Sequence, residues 1–238
     1  MNQVIAMHGW SGDSNTWNIW AELFRKNKWI WQSGERGYGT IPPSKPLWIE
    51  QSPHNIHSHR VVIAHSLGPH LIDREILEKA TDVVLLASFS SFIPNGSESR
   101  YLKTALQGMQ KNIGTSGEKT MLQNFLQKAC QPESPQTIPP GPITKGLTID
   151  GRKRLQADLE LLIATNNLPK GLSAHSRVLV IQGQEDCIIV PSTRMTLIKD
   201  LKKHLNKVPT CWSIPHTGHL LLVPGLITRV KTWLEARP

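Results

Sequence analysis

Short apolar runs, rich in β-branched residues, recur along the chain at Val4–Met7, Trp29–Trp31, Val61–Ala64, Val83–Ala87, Val178–Ile181 and Cys211–Ile214. Each is too short for a helix, so each predicts a buried strand. Between them the spacing changes to that of a helix. Trp17, Trp20, Ala21, Leu23 and Phe24 fall on one helical face, with Asn15 or Thr16 as a candidate cap. Similar patterns predict a helix over 192–204 and a last one ending at Trp233-Leu234. Strands alternating with helices imply a parallel sheet with right-handed crossovers.

That rhythm stops at Ser88 and resumes near residue 173. The intervening stretch carries helical patterns at 99–110, 117–129 and 150–164, with Pro132, Pro135, Pro139, Pro140 and Pro142 between the last two. The organisation expected is an α/β core of residues 1–89 and 173–238, with residues 90–172 inserted as a helical cap over the C-terminal edge of the sheet. Residues 41–59, with four prolines and three histidines, predict no helix.

The chain has 238 residues, 39% hydrophobic, with eight Trp, enough for one large domain. No apolar run approaches the roughly 18 residues of a membrane span. The first strand begins almost at the N-terminus, so no leader is expected. Cys130, Cys187 and Cys211 are odd in number and widely spaced, which suits a reducing, cytoplasmic setting. The net charge is +9, and residues 100–154 hold nine basic and three acidic side chains. Such a concentration is either a solvated helical surface or a docking face for an anionic partner. No nucleic-acid-binding motif accompanies it.

Chemistry is expected where strands end, because ligands in open parallel sheets bind beyond their C-terminal edges. Ala64-His65-Ser66-Leu67-Gly68 has the form of a nucleophile elbow, in which a tight strand-to-helix turn needs small residues on both sides of the serine. Alone it does not separate an elbow from a chance match. Gly183-Gln184-Glu185-Asp186 follows one later strand, and His216-Thr217-Gly218-His219 follows another. The order Ser66, Asp186, His219 is that of a triad in which histidine takes the serine proton and a buried acid pairs with the histidine. Glu185 and His216 are the competing acid and base. The oxyanion formed on attack needs fixed donors, here the amides of Leu67 and Trp10, the latter in His8-Gly9-Trp10 after the first strand. His54, His57 and His59 raise a zinc site, but only Glu50 is acidic nearby, so no metal or cofactor is expected.

Together these positions resemble the α/β-hydrolase superfamily over nearly the whole chain. Within it they are most similar to the pimeloyl-[acyl-carrier protein] methyl ester esterases of biotin synthesis, cyanobacterial-type relatives included. His8-Gly9-Trp10 resembles their oxyanion motif, with Trp10 bordering the substrate, and Ser66-Leu67-Gly68 their nucleophile motif. Glu35-Arg36-Gly37-Tyr38-Gly39 is similar to their loop after the second core strand. Asn124-Phe125-Leu126 resembles the cap segment whose Phe lines the acyl channel, and Leu155–Leu162 the helix that re-enters the core. The resemblance implies a monomeric serine esterase that releases methanol from a pimeloyl ester on an acidic acyl carrier protein. Arg100, Lys103, Lys111, Lys128, Arg152 and Arg154 are the docking candidates. Alternatives are a general carboxylesterase or thioesterase on small acyl compounds, and a binding protein of the same fold without catalysis. The chain departs from the family in having Ala64 and Pro69 where Gly is usual. It also lacks the strands that often precede the first one here.

Overall fold

The computed structural model describes residues 1–50 and 58–236. Six strands form one sheet: β1 (Gln3–Met7), β2 (Ile30–Gly34), β3 (Arg60–His65), β4 (Asp82–Leu86), β5 (Arg177–Gly183) and β6 (Thr210–Ile214). Their order across the sheet is β2-β1-β3-β4-β5-β6, and every neighbouring pair is parallel. Helices cover both faces, so the strands are apolar on both sides. Val4, Ala6, Val61, Ile63, Leu179 and Ile181 pack into one core with α1 (Asn18–Lys26) and α9 (Leu226–Glu235). Ile5, Met7, Val62, Ala64, Val178 and Val180 pack on the opposite face, with α3 (Arg74–Glu78) and α8 (Pro191–His204). The period of two inside each continuous run decides which face a side chain joins.

One local expectation is corrected. Neither Asn15 nor Thr16 caps the first helix. Asp13 caps instead the 3-10 turn over Ser14–Trp17 that leads into α1, its carboxylate accepting from the Asn15 amide at 3.0 Å, and α1 itself starts without a side-chain cap. The helix after β3 is a single turn, α2 (Gly68–Leu71), with Pro69 in its first turn, where a missing N–H is tolerated, and α3 follows directly.

Over the C-terminal edge of the sheet lie α4 (Glu98–Asn112), α5 (Glu118–Cys130), the single turn α6 (Pro142–Lys145) and α7 (Ile149–Ala164). The underside of α7 carries Leu155, Leu159 and Leu162, which share a third core with Trp10, Tyr38, Leu67 and Phe89. Polar contacts fix α7 as well. Trp10 Nε1 donates to the Leu155 carbonyl at 2.8 Å, and Arg154 donates to the Gly37 carbonyl at 3.1 Å. Buried Asp158 accepts from Arg36 Nε (2.8 Å), Arg36 Nη2 (2.6 Å) and the Tyr38 hydroxyl (2.5 Å).

At the β2 edge the chain returns as a proline-bearing ribbon. Glu35 and Ser44 pair backbone to backbone, while the Gln32 and Gln3 side-chain amides bracket Leu47 and Ile49.

Candidate active site

Ser66 sits where β3 turns into α2, with φ of +55°. A β-carbon makes this left-handed region costly, so the surrounding structure must hold the residue there. It does so through both backbone groups. The Ser66 amide donates to the Leu86 carbonyl at 2.8 Å, and the Ser88 hydroxyl donates to the Ser66 carbonyl at 2.8 Å. The small residues around the serine are needed because other backbone passes close by. A Cβ on Gly68 would stand 2.5 Å from the Met7 carbonyl oxygen, and one on Gly9 would stand 2.9 Å from Ser66 Cβ. Ala64 is fully buried on β3, between β1 and β4.

The loops after β5 and β6 bring Asp186 and His219 together. His219 Nδ1 lies 2.9 Å from Asp186 Oδ2, and both side chains are buried. Asp186 Oδ1 accepts from the Ile188 and Ile189 amides at 2.7 and 2.9 Å. Burial by itself would raise the Asp186 carboxyl. The His219 imidazole and these amides outweigh it and hold the group below its ordinary range. A carboxylate on Nδ1 places the imidazole proton there and leaves Nε2 as the base. Glu185 and His216, the competing pair, meet each other at 3.1 Å on the exposed side of the same loops. Among the described residues the Ser66 hydroxyl forms no hydrogen bond with His219.

Neither the Trp10 nor the Leu67 amide donates to another group among the described residues, so both donors are available to an oxyanion. The loop carrying Trp10 is braced from behind by a contact that the sequence motifs alone do not give. Buried Glu35 accepts from the Ser14 and Gly37 amides, each at 2.7 Å, and faces His8 Nε2 at 3.4 Å. Burial opposes its charge, but His8 and the two amides prevail and bring its pKa down to about 2. Glu35 and His8 each lie at the end of a neighbouring strand. That adjacency was available only once β1 and β2 were known to pair.

Above Ser66 opens a cavity of about 640 Å³. One face of α4 lines it, including Leu102, Leu106 and Met109, and one face of α5, including Met121 and Phe125. Trp10 meets Phe125 edge to face at 5.0 Å. Lys128 is the one charged side chain among the described residues of this lining, and Cys187 borders it beside Asp186.

The basic residues of the cap divide. Arg100, Lys103, Lys111 and Lys128 are exposed and form no ion pair among the described residues. Arg152 is engaged with Glu118 through two bonds of 2.6 and 2.9 Å, and Arg154 is tied to Gly37. Of the three histidines raised as a zinc site, His54 and His57 lie outside the described residues. His59 lies 2.8 Å from Asp82 and stacks on Trp29. No cluster of three or more potential metal ligands occurs among the described residues, and none of their helices is long and apolar enough to cross a membrane.

No family model matches this chain, and no curated protein matches it in sequence. Solved structures do match. The chain is similar to the enol-lactonase from Burkholderia xenovorans LB400, with a TM-score of 0.64, 15% identity, and coverage of 98% of this chain and 90% of that one. A thermophilic esterase from Thermogutta terrifontis gives a TM-score of 0.61 and 14% identity over 99% and 90% of the two chains. MenH from S. aureus gives 0.55 and 13% over 98% and 93%. The fold of this chain is the α/β-hydrolase fold.

Proposed function

We propose that this chain, built on the α/β-hydrolase fold, is a serine ester hydrolase and that its substrate is the methyl ester of pimeloyl-[acyl-carrier protein]. The observation that carries the catalytic part is the buried His219–Asp186 pair beside a serine held at positive φ on the floor of an apolar cavity. In this reading His219 Nε2 takes the Ser66 proton as Oγ attacks the ester carbonyl. The resulting oxyanion is held by the Leu67 and Trp10 amides. The proton then passes to the departing methoxide, methanol leaves, and water attacks the acyl-serine by the same route in reverse. The acid is released and Ser66 is restored.

Support for the acyl part comes from the resemblance of Asn124-Phe125-Leu126 to the esterases of biotin synthesis and from a cavity that suits an apolar chain. Support for an acidic carrier comes from the exposed cations Arg100, Lys103, Lys111 and Lys128. Arg152 and Arg154 are committed inside the protein and contribute less to docking than their charge suggests. That smaller basic face is the observation that favours a second reading, a carboxylesterase on small acyl esters.

Two measurements test this reading, and the second separates it from the small-ester one. Ser66→Ala is expected to abolish hydrolysis while the folded state is retained; residual turnover at the wild-type rate overturns the nucleophile assignment. Raising salt is expected to lower kcat/KM on the carrier-bound methyl ester and to leave a small methyl ester little changed, since exposed charges are screened within about 10 Å at 0.1 M. Equal salt dependence for both removes the carrier and leaves the small-ester reading.

A further inference from the structure

His65 is the one residue of the elbow that the proposed chemistry leaves unused, yet its ring stands between the loops that the chemistry needs. Its Nε2 lies 2.9 Å from the carbonyl oxygen of His219. A carbonyl oxygen can only accept, so Nε2 carries the proton. The other ring nitrogen faces the oxyanion loop, where a Cβ on Gly9 would come within 3.2 Å of His65 Nδ1. The His65 and His219 rings are 4.8 Å apart between centroids. One imidazole therefore touches the loop of the base and the loop of an oxyanion donor, and it adjoins the nucleophile along the chain.

The environment keeps this ring neutral. Removal from water, then the neighbouring His219, push the His65 imidazole down to about 3. A charged ring here would stand against the imidazolium that forms on His219 during attack, so neutrality suits the position. Nε2–H is also well placed to matter. The loop after β6 has no repeating structure, and among the described residues the other backbone bonds near His219 are made at flanking residues, such as Glu185 to Thr217 and Leu221 to Gly218.

We infer that His65 is a positioning residue of this site: its Nε2–H holds the backbone at His219 and thereby sets where the His219 imidazole stands relative to Ser66. The inference rests on the serine-hydrolase reading, because a base has to be aimed only if Ser66 is a nucleophile. Small misplacements of reacting groups are costly in rate, so the effect belongs in kcat and leaves KM alone.

The test compares two amides that differ in reach. His65→Gln can present a side-chain N–H close to the position of Nε2, and His65→Asn is one carbon too short. With a small ester, His65→Gln is expected to keep kcat within about threefold, while His65→Asn loses about tenfold or more at unchanged KM. Labelling of Ser66 by an active-site phosphonate is expected to slow in the same ratio. A purely structural role would lower thermal stability in both variants without this split, so equal kcat for Gln and Asn overturns the inference. If the Asn variant does not fold, the ¹⁵N spectrum of the unaltered protein decides. A proton on His65 Nε2 supports the inference, and a proton only on Nδ1 overturns it. An unaltered protein that the phosphonate fails to label overturns the hydrolase reading, and this role with it.

Discussion

Asp186 is bonded directly to the His219 imidazole, so loss of the charge on Asp186 is felt through the histidine. Asp186→Asn preserves the shape of the site but favours the wrong imidazole tautomer, and kcat is expected to fall about 10⁴-fold, read in steady-state hydrolysis. The buried titratable groups also set how stability depends on pH. His65 is held at about 3 in the folded protein, against 6.5 ordinarily. Between those values the unfolded chain takes up a proton that the folded chain does not, so stability falls as pH drops through that window. Burial pushes His70 in the same direction. Glu35 moves from 4.5 to about 2, so the stability from its contacts is present above 4.5 and is lost below it. Denaturant melts are therefore expected to weaken from about pH 6.5 and more steeply below 4.5. His65→Gln should flatten the upper part by up to about 1.4 kcal/mol per pH unit.

At the scale of elements, the strands and long helices were legible because the core clusters alternate on a period of two and the cap helices on a period near four. Glu98–Asn112 and Glu118–Cys130 lie within two residues of the expected ranges. The start of α1 was misplaced because Asp13, Asn15 and Thr16 can all cap, and the choice depends on where the loop after β1 delivers the chain. Ser66, Asp186 and His219 could be nominated as candidates from strand ends, since a strand end is a local pattern, and the structure joins Asp186 to His219. The Glu35–His8 brace and the His65–His219 contact could not, because they depend on which strands are neighbours and on the path of a loop. On α4, Gly108 borders the cavity, and a Cβ there meets nothing within 4 Å. Gly108→Leu is therefore expected to fold at least as stably, because a helix-interior Gly costs about 0.5–1 kcal/mol relative to Ala. Its side chain would occupy the cavity, so kcat/KM should fall for long acyl esters and hold for acetate esters.

At the scale of the molecule, the cap is not uniformly attached. α7 is anchored by Trp10, Arg154 and the Arg36–Asp158–Tyr38 group, whereas α4 and α5 enclose the cavity. Asp158→Ala would leave Arg36 without its carboxylate in a half-buried position. A loss of about 3 kcal/mol is expected in chemical denaturation, together with faster amide exchange along α7. The opposite flank has a consequence of another kind. A sheet that ends at β2 presents a row of peptide groups onto which a second polypeptide could add by cross-β growth. The ribbon through Pro42, Pro43 and Pro46 lies along that flank, with the Gln32 amide already paired to Leu47. Proline cannot donate to a growing ladder, so this ribbon is expected to hinder such addition at the β2 edge.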